Sequence, residues 1–226
     1  MDLLQLREKE IFNTLKKLAK TDFVIIGGYA VNAYTLPRFS VDCDIVTKEK
    51  SELEKIEKEL FESGYSAKDT YKVDSPYHGE FMRYEKVLEH NFNVSVDIFF
   101  KDILDRQTNA SFRADWVFQN SGIGLLRGKT IKEDLKLRII NLDALVVMKM
   151  ISCRITDIRD VFMLFPNVKD IEWIKNEVSV MHNFNDRIAK VKKEISSEQF
   201  RDNLQGIYGY IDDKIFNKHR DSISKI

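Results

Sequence analysis

Apolar residues recur along the chain in two rhythms, and the change from one to the other divides it. Residues 3–19 set Leu4, Ile11, Leu15 and Leu18 near one helical face with Lys and Glu opposite, which predicts a packing helix. Phe23 to Ile26 is an apolar run of strand length, followed at once by Gly27-Gly28, a short predicted helix from Tyr29 to Tyr34 and a turn at Pro37. Val41 to Val46 predicts a second strand. Lys48 to Ser63 returns to helical spacing through Leu53, Ile56, Leu60 and Phe61, with Gly64 as its stop. Between Tyr65 and Tyr84 the pattern is weak: short β stretches near Tyr71 and Phe81, parted by the turn residues Asp74-Ser75-Pro76. Phe92 to Phe100 alternates as a strand, and Trp116 to Ile140 reads as β segments broken by Gly122, Gly124 and Gly128.

From Leu142 the period is helical throughout. Leu142 to Cys153 and Ile155 to Phe165 predict two helices broken at Pro166, then Ile171 to Met181, Ile188 to Ile195 and Phe200 to Phe216 predict three more. In the last of these, Leu204, Ile207, Tyr208 and Ile211 form an apolar stripe suited to a core. The expected organisation is a strand-and-helix domain over residues 1–140 and a helical domain over 141–226.

Composition narrows the partners only a little. Lys plus Arg and Asp plus Glu both number 36, so net charge gives no argument for a polyanion and leaves only a local basic face. No apolar run approaches the ~18 residues of a membrane span. The first residues, MDLLQLREKE, have neither the basic start nor the apolar core of a signal peptide. Cys43 and Cys153 stand apart without metal-type spacing, as do the four histidines. The expectation is a cytoplasmic protein with reduced thiols and no membrane partner.

Chemistry concentrates after the first glycines. Asp42 and Asp44 alternate with Val41, Cys43 and Ile45, so in a strand both carboxylates leave one side together. Asp is depleted in strands, and paired carboxylates repel unless a cation sits between them. A glycine turn opening a helix presents backbone N–H groups suited to phosphate. Together these point to a divalent metal and a phosphate ligand, set against the plainer alternatives of a tight turn and two exposed strand residues.

Gly27-Gly28 followed by Arg38-Phe39-Ser40-Val41-Asp42-Cys43-Asp44 resembles the signature of the nucleotidyltransferase superfamily related to DNA polymerase β. Within it, the spacing is most similar to the minimal bacterial and archaeal members, including toxins of the abortive-infection, type IV toxin–antitoxin class. The family needs a third carboxylate on a neighbouring strand, and Asp97 in the run Asn93 to Phe100 supplies a candidate. Lys149 through Arg154, with Asp157 and Asp160, resembles the helical segment of the toxin-like members. The resemblance spans about residues 20 to 165.

The resemblance implies an α+β fold, a nucleotidyltransferase-type mixed sheet flanked by helices and followed by a C-terminal helical bundle. It implies transfer of a nucleoside monophosphate from a nucleoside triphosphate such as ATP, with Mg2+ or Mn2+ held by Asp42, Asp44 and Asp97 as the catalytic carboxylates. Gly27, Gly28, Arg38, Ser40, Lys149 and Arg154 would serve the nucleotide. For Arg38 a plain surface role weighs equally, and for Lys149 and Arg154 an ion pair with Asp157 or Asp160. The acceptor implied is a macromolecule, RNA and above all tRNA, and an antitoxin protein is an implied partner. A small-molecule nucleotidyltransferase, a non-catalytic nucleotide-binding or antitoxin-like module, and a scaffold assembling through its helical half remain alternatives.

Gly128-Lys129-Thr130 looks like the end of a P-loop, but residue 123, where the spacing requires glycine, is Ile. Tyr77 to Tyr84 is aromatic-rich, and with Arg83 and Lys86 it suits nucleic-acid stacking less well than an ordinary half-exposed sheet. Arg187, Lys190, Lys192, Lys193, Lys214, Lys218 and Arg220 suit an RNA-binding surface and a solvated helix face equally.

Overall fold

The apolar run at Phe23 condenses into a strand of only two residues, β1 (Val24–Ile25), which holds because partners on both sides satisfy its backbone. The structure, a computed structural model, describes residues 2–68, 80–105 and 107–226, apart from the side chains of Glu80 and His90. The β stretch expected near Tyr71, the turn at Asp74-Ser75-Pro76 and His78 lie outside them.

Before β1 comes α1 (Leu3–Leu18), with Asp2 capping its start and Ile11, Phe12, Leu15 and Leu18 buried. After it come α2 (Gly27–Val31), β2 (Asp42–Thr47), α3 (Lys50–Glu62), β3 (Ser66–Ala67), β4 (Glu80–Val87) and β5 (Asn93–Phe100). Then follow β6 (Asp102–Asp105), β7 (Ala110–Arg113), α4 (Ala114–Gln119), β8 (Ser121–Leu126) and β9 (Leu135–Ile140). Among the described residues the main sheet has seven strands in the order β3-β4-β5-β2-β1-β9-β8, and β6 and β7 form a separate pair. β2 runs parallel to β5 and β1 to β9, while the other pairs are antiparallel, so the sheet is mixed.

Three expectations are corrected. The helix after Gly27-Gly28 begins at Gly27 itself and ends at Val31, short of Tyr34. Trp116 lies in α4, and Gly122 and Gly124 sit inside β8 instead of breaking it. An added Cβ at Gly124 would meet the Ile139 side chain of β9 at 3.4 Å, an ordinary van der Waals contact, so the strand passes through this glycine without needing its smallness. The single helix expected from Phe200 to Phe216 is two, Glu198–Tyr208 and Asp213–Ser224.

By chain contacts the protein forms two units: residues 1–33, 39–104 and 111–140 make the first, and residues 34–38, 105–110 and 141–226 the second. In the first, α1 packs on β5 and on α3. The second is built on α5 (Leu142–Ser152), α6 (Ile155–Leu164), α7 (Ile171–Met181), α8 (Phe184–Ile195), α9 (Glu198–Tyr208) and α10 (Asp213–Ser224). Gly209, at φ +85°, ends α9, and the Asp212 side chain caps α10. Phe162 packs with Phe200, Phe216 and His219 at its core. No helix among the described residues is long and apolar enough to cross a membrane.

Candidate functional site

Directly opposed residues in paired strands point to the same side. β2 and β5 pair Asp44 with Asp97 and Asp42 with Ser95, and β5 and β4 pair Asp97 with Arg83 and Ser95 with Glu85. One face therefore carries two polar rows, Asp44-Asp97-Arg83 and Asp42-Ser95-Glu85. The opposite face of the same two strands carries Cys43, Ile45, Val96 and Ile98, all buried. Alternation in the sequence thus divides core from chemistry across the thickness of one sheet.

The glycine turn is fitted to this face. Gly27 has φ +62°, a conformation most side chains avoid, and a Cβ there would lie 1.9 Å from Oδ2 of Asp44. Only glycine lets the Asp44 carboxylate lie against that backbone. The Ile26 N–H donates to the Asp44 carbonyl at 3.0 Å, tying the turn to β2. Ser40 Oγ donates to the Asp42 carbonyl at 3.2 Å, and Gly28 is buried in α2.

Arg83 makes a two-pronged pair with Asp97: Nε donates to Oδ1 at 2.8 Å and Nη2 to Oδ2 at 2.7 Å. The same Nη2 stands 3.5 Å from Oδ1 of Asp42, which also accepts from Ser95 Oγ. Burial pushes the Asp97 carboxyl above its ordinary value, and the Arg83 hydrogen bonds only partly oppose this. Arg83 in turn is raised by its bonds to Asp97. The role of Arg83 is thus with a carboxylate of this face, which its sequence context did not disclose.

A divalent cation is the group implied for this face. The carboxylate oxygens of Asp42 and Asp44, leaving one strand on one side, are hard donors of the right chemistry. Asp97 has both oxygens committed to Arg83. Among the described residues no three His, Cys, Asp or Glu side chains are grouped to hold a metal ion.

The remaining predicted residues belong to the second unit. Arg38 donates from Nε and Nη2 to the two oxygens of Asp160, at 3.0 and 2.7 Å. Lys149 Nζ lies 2.8 Å from Asp157 Oδ1 and 3.1 Å from Asp160 Oδ2. All four groups are buried or nearly so. Burial alone would raise the Asp160 carboxyl, but Lys149 and Arg38 together hold it below its ordinary value. Lys149, which burial alone would lower, is raised by Asp160 and Asp157. Arg154 lies elsewhere in the unit: Nη2 donates to Asp105 Oδ2 at 2.7 Å and Nε to Gln107 Oε1 at 3.1 Å. Asp157 accepts from the Arg154 backbone N–H at 3.2 Å.

The structure thus gathers Asp42, Asp44, Asp97 and Gly27, with Ser40 alongside in the chain, and separately joins Arg38 to Lys149 through Asp160. The basic helices are partly engaged: Lys190 Nζ donates to the Cys153 carbonyl at 2.8 Å and Lys192 Nζ to that of Ser224 at 3.4 Å. The P-loop-like tripeptide has an occupant from its own chain. Buried Glu8 accepts from the backbone N–H groups of Lys129 and Thr130 and from the Thr130 hydroxyl.

No protein-family model matches the chain, and no curated protein sequence does. Among solved structures, its fold is similar to that of JHP933 from Helicobacter pylori, at TM-score 0.51 and 16% identity over 100% of this chain and 92% of that one. An antigenic nucleotidyltransferase-like protein from Paracoccidioides brasiliensis matches at TM-score 0.49 and 15% identity, over 84% of this chain and 92% of its own. At 16% identity the likeness to JHP933 is one of fold. The class defined is α+β, a mixed seven-stranded sheet with flanking helices followed in the chain by a run of helices, as the sequence resemblance implies.

Proposed function

We propose that the protein is a metal-dependent nucleotidyltransferase that moves a nucleoside monophosphate from a nucleoside triphosphate, ATP among the candidates, to an acceptor hydroxyl. The observation carrying this reading is the registered face: Asp44 opposite Asp97, Asp42 two residues along on the same side, and the Gly27 backbone against Asp44. When bound, Mg2+ or Mn2+ supplies charge neutralisation at the triphosphate and acidifies the acceptor hydroxyl. Asp42 and Asp44 are the residues that hold it, and Asp97 serves as a further ligand or as the base that takes the hydroxyl proton. Gly27 lets the Asp44 carboxylate lie against the turn, and the backbone N–H groups of Gly27 and Gly28 are the proposed contacts to phosphate oxygens. The chain's contribution is chiefly position and charge.

RNA, with tRNA foremost, is the proposed acceptor, and a toxin role held in check by an antitoxin protein is the proposed setting. Both rest on the sequence resemblance. A second reading, a nucleotide-binding module without chemistry, draws support from Arg83, which balances part of the acidic face without metal. The experiment incubates the protein with each labelled triphosphate and Mg2+, adding total RNA or a protein extract. Label in RNA is the expected result. Label only in protein or in a small molecule moves the acceptor, and nucleotide bound with no label transferred favours the module.

A further inference from the structure

Both oxygens of Asp97 are engaged by Arg83, and the same guanidinium reaches toward Asp42 at 3.5 Å. A cation of the chain's own therefore stands on the carboxylate face, between two of the residues assigned to a metal. Its two ends differ in freedom. The Asp97 side chain is 7% exposed and has nowhere to go, whereas that of Arg83 is 37% exposed and ends a long flexible stem. Glu85, two residues along β4 on the same face and paired with Lys68 at 3.3 Å, adds a further negative charge beside a displaced guanidinium.

We propose that Arg83 is an internal counter-cation that competes with a divalent metal for Asp97 and Asp42, and that metal is fully coordinated only as Arg83 swings out. The proposal rests on the reading of Asp42, Asp44 and Asp97 as a metal site. It assigns Arg83 a positioning role: by neutralising the face when metal is absent, it relieves carboxylate repulsion, and by resisting displacement it weakens metal binding. A metal ion entering there must exceed the fork-like pair it replaces, one of the stronger hydrogen-bonded arrangements available to side chains.

The test is calorimetric titration of MnCl2, without nucleotide, into the wild type and the Arg83→Gln and Arg83→Met variants, each also carrying Asp42→Asn as a control. Loss of the competing guanidinium is expected to tighten Mn2+ binding roughly tenfold, the change that about one strong ion-pair hydrogen bond represents. Asp42→Asn should weaken binding in every background. Unchanged or weaker Mn2+ affinity in both Arg83 variants, with Asp42→Asn still weakening binding, overturns the competition and leaves the metal site standing. No Mn2+ binding in any protein overturns both. Should the variants fail to fold, the wild type labelled with nitrogen-15 decides. The Arg83 Nε–H resonance should shift on Mg2+ saturation, and a resonance that stays put while metal binds refutes the swing.

Discussion

Asp97 with Arg83, and Asp160 with Arg38, are the same two-pronged pairing placed in different surroundings. On the sheet face, one half-exposed guanidinium serves Asp97 and reaches Asp42, with Asp44 at the adjoining register position. In the helical unit, Arg38 and Lys149 meet Asp157 and Asp160, two positive charges for two negative. The carboxyls record the contrast: burial leaves Asp97 raised, whereas Lys149 and Arg38 overcome burial and leave Asp160 lowered. A closed set of charges makes a brace. An acidic face whose cation, Arg83, is half-exposed is the arrangement on which the proposed metal site rests.

The largest expected difference is in stability. Asp160→Ala would leave Arg38 and Lys149 buried without their shared anion, a loss of about 3–5 kcal/mol. Asp97→Asn would leave Arg83 with access to water, at a cost of about 1 kcal/mol or less. Urea midpoints of the two variants measure this, and equal losses would erase the distinction between brace and site.

Next in size is Gly27→Ala. Left-handed backbone costs alanine about 1–2 kcal/mol, and the new methyl must displace the Asp44 carboxylate it would otherwise overlap. A lowered melting temperature together with weakened Mn2+ binding is expected. Intact metal affinity in the folded variant would detach the turn from the site.

The smallest effect is with pH, and its sign differs between the pairs. Asp160 is lowered in the folded state, so its contribution is complete above the ordinary value of 3.8 and lost as pH falls through the folded value. Asp97 is raised, so its ionisation subtracts stability, which returns as pH falls through its folded value toward 3.8. Against Asp97→Asn, the wild type should gain on mild acidification. Against Asp160→Asn, it should lose below pH 3.8. Chemical denaturation across the acid range checks both slopes, and parallel curves would contradict the assignment.

Asp42 and Asp44 were legible because period two is a local property, and polar residues interrupting an apolar strand show directly in the chain. Asp97 was legible as a charge in a second such strand. Arg83 also lies in an alternating stretch, but its meaning depends on which strand β4 pairs with and in what register, and those are not local facts. Arg38 and Asp160 are 122 residues apart, so no spacing rule joins them, whereas Lys149 with Asp157 was already an open alternative. The strand through Gly122 and Gly124 goes against local glycine propensity because β9 pairs with it residue for residue, Gly122 with Ile139 and Gly124 with Leu137, and the helix at Trp116 has no period-3.6 signal long enough to show in the chain.

The chain passes from the first unit to the second at residue 34, returns at 39, crosses again at 105 and back at 111, and departs for good at 141. A gene cut after residue 140 would therefore sever Arg38 from Asp160 and Asp105 from Arg154 and Ser152. The fragment would carry the whole carboxylate face, yet also two short segments whose fixed positions come from residues it no longer encodes. Dissecting this protein calls for excising or replacing 34–38 and 105–110 as well, because its units are interlaced in sequence.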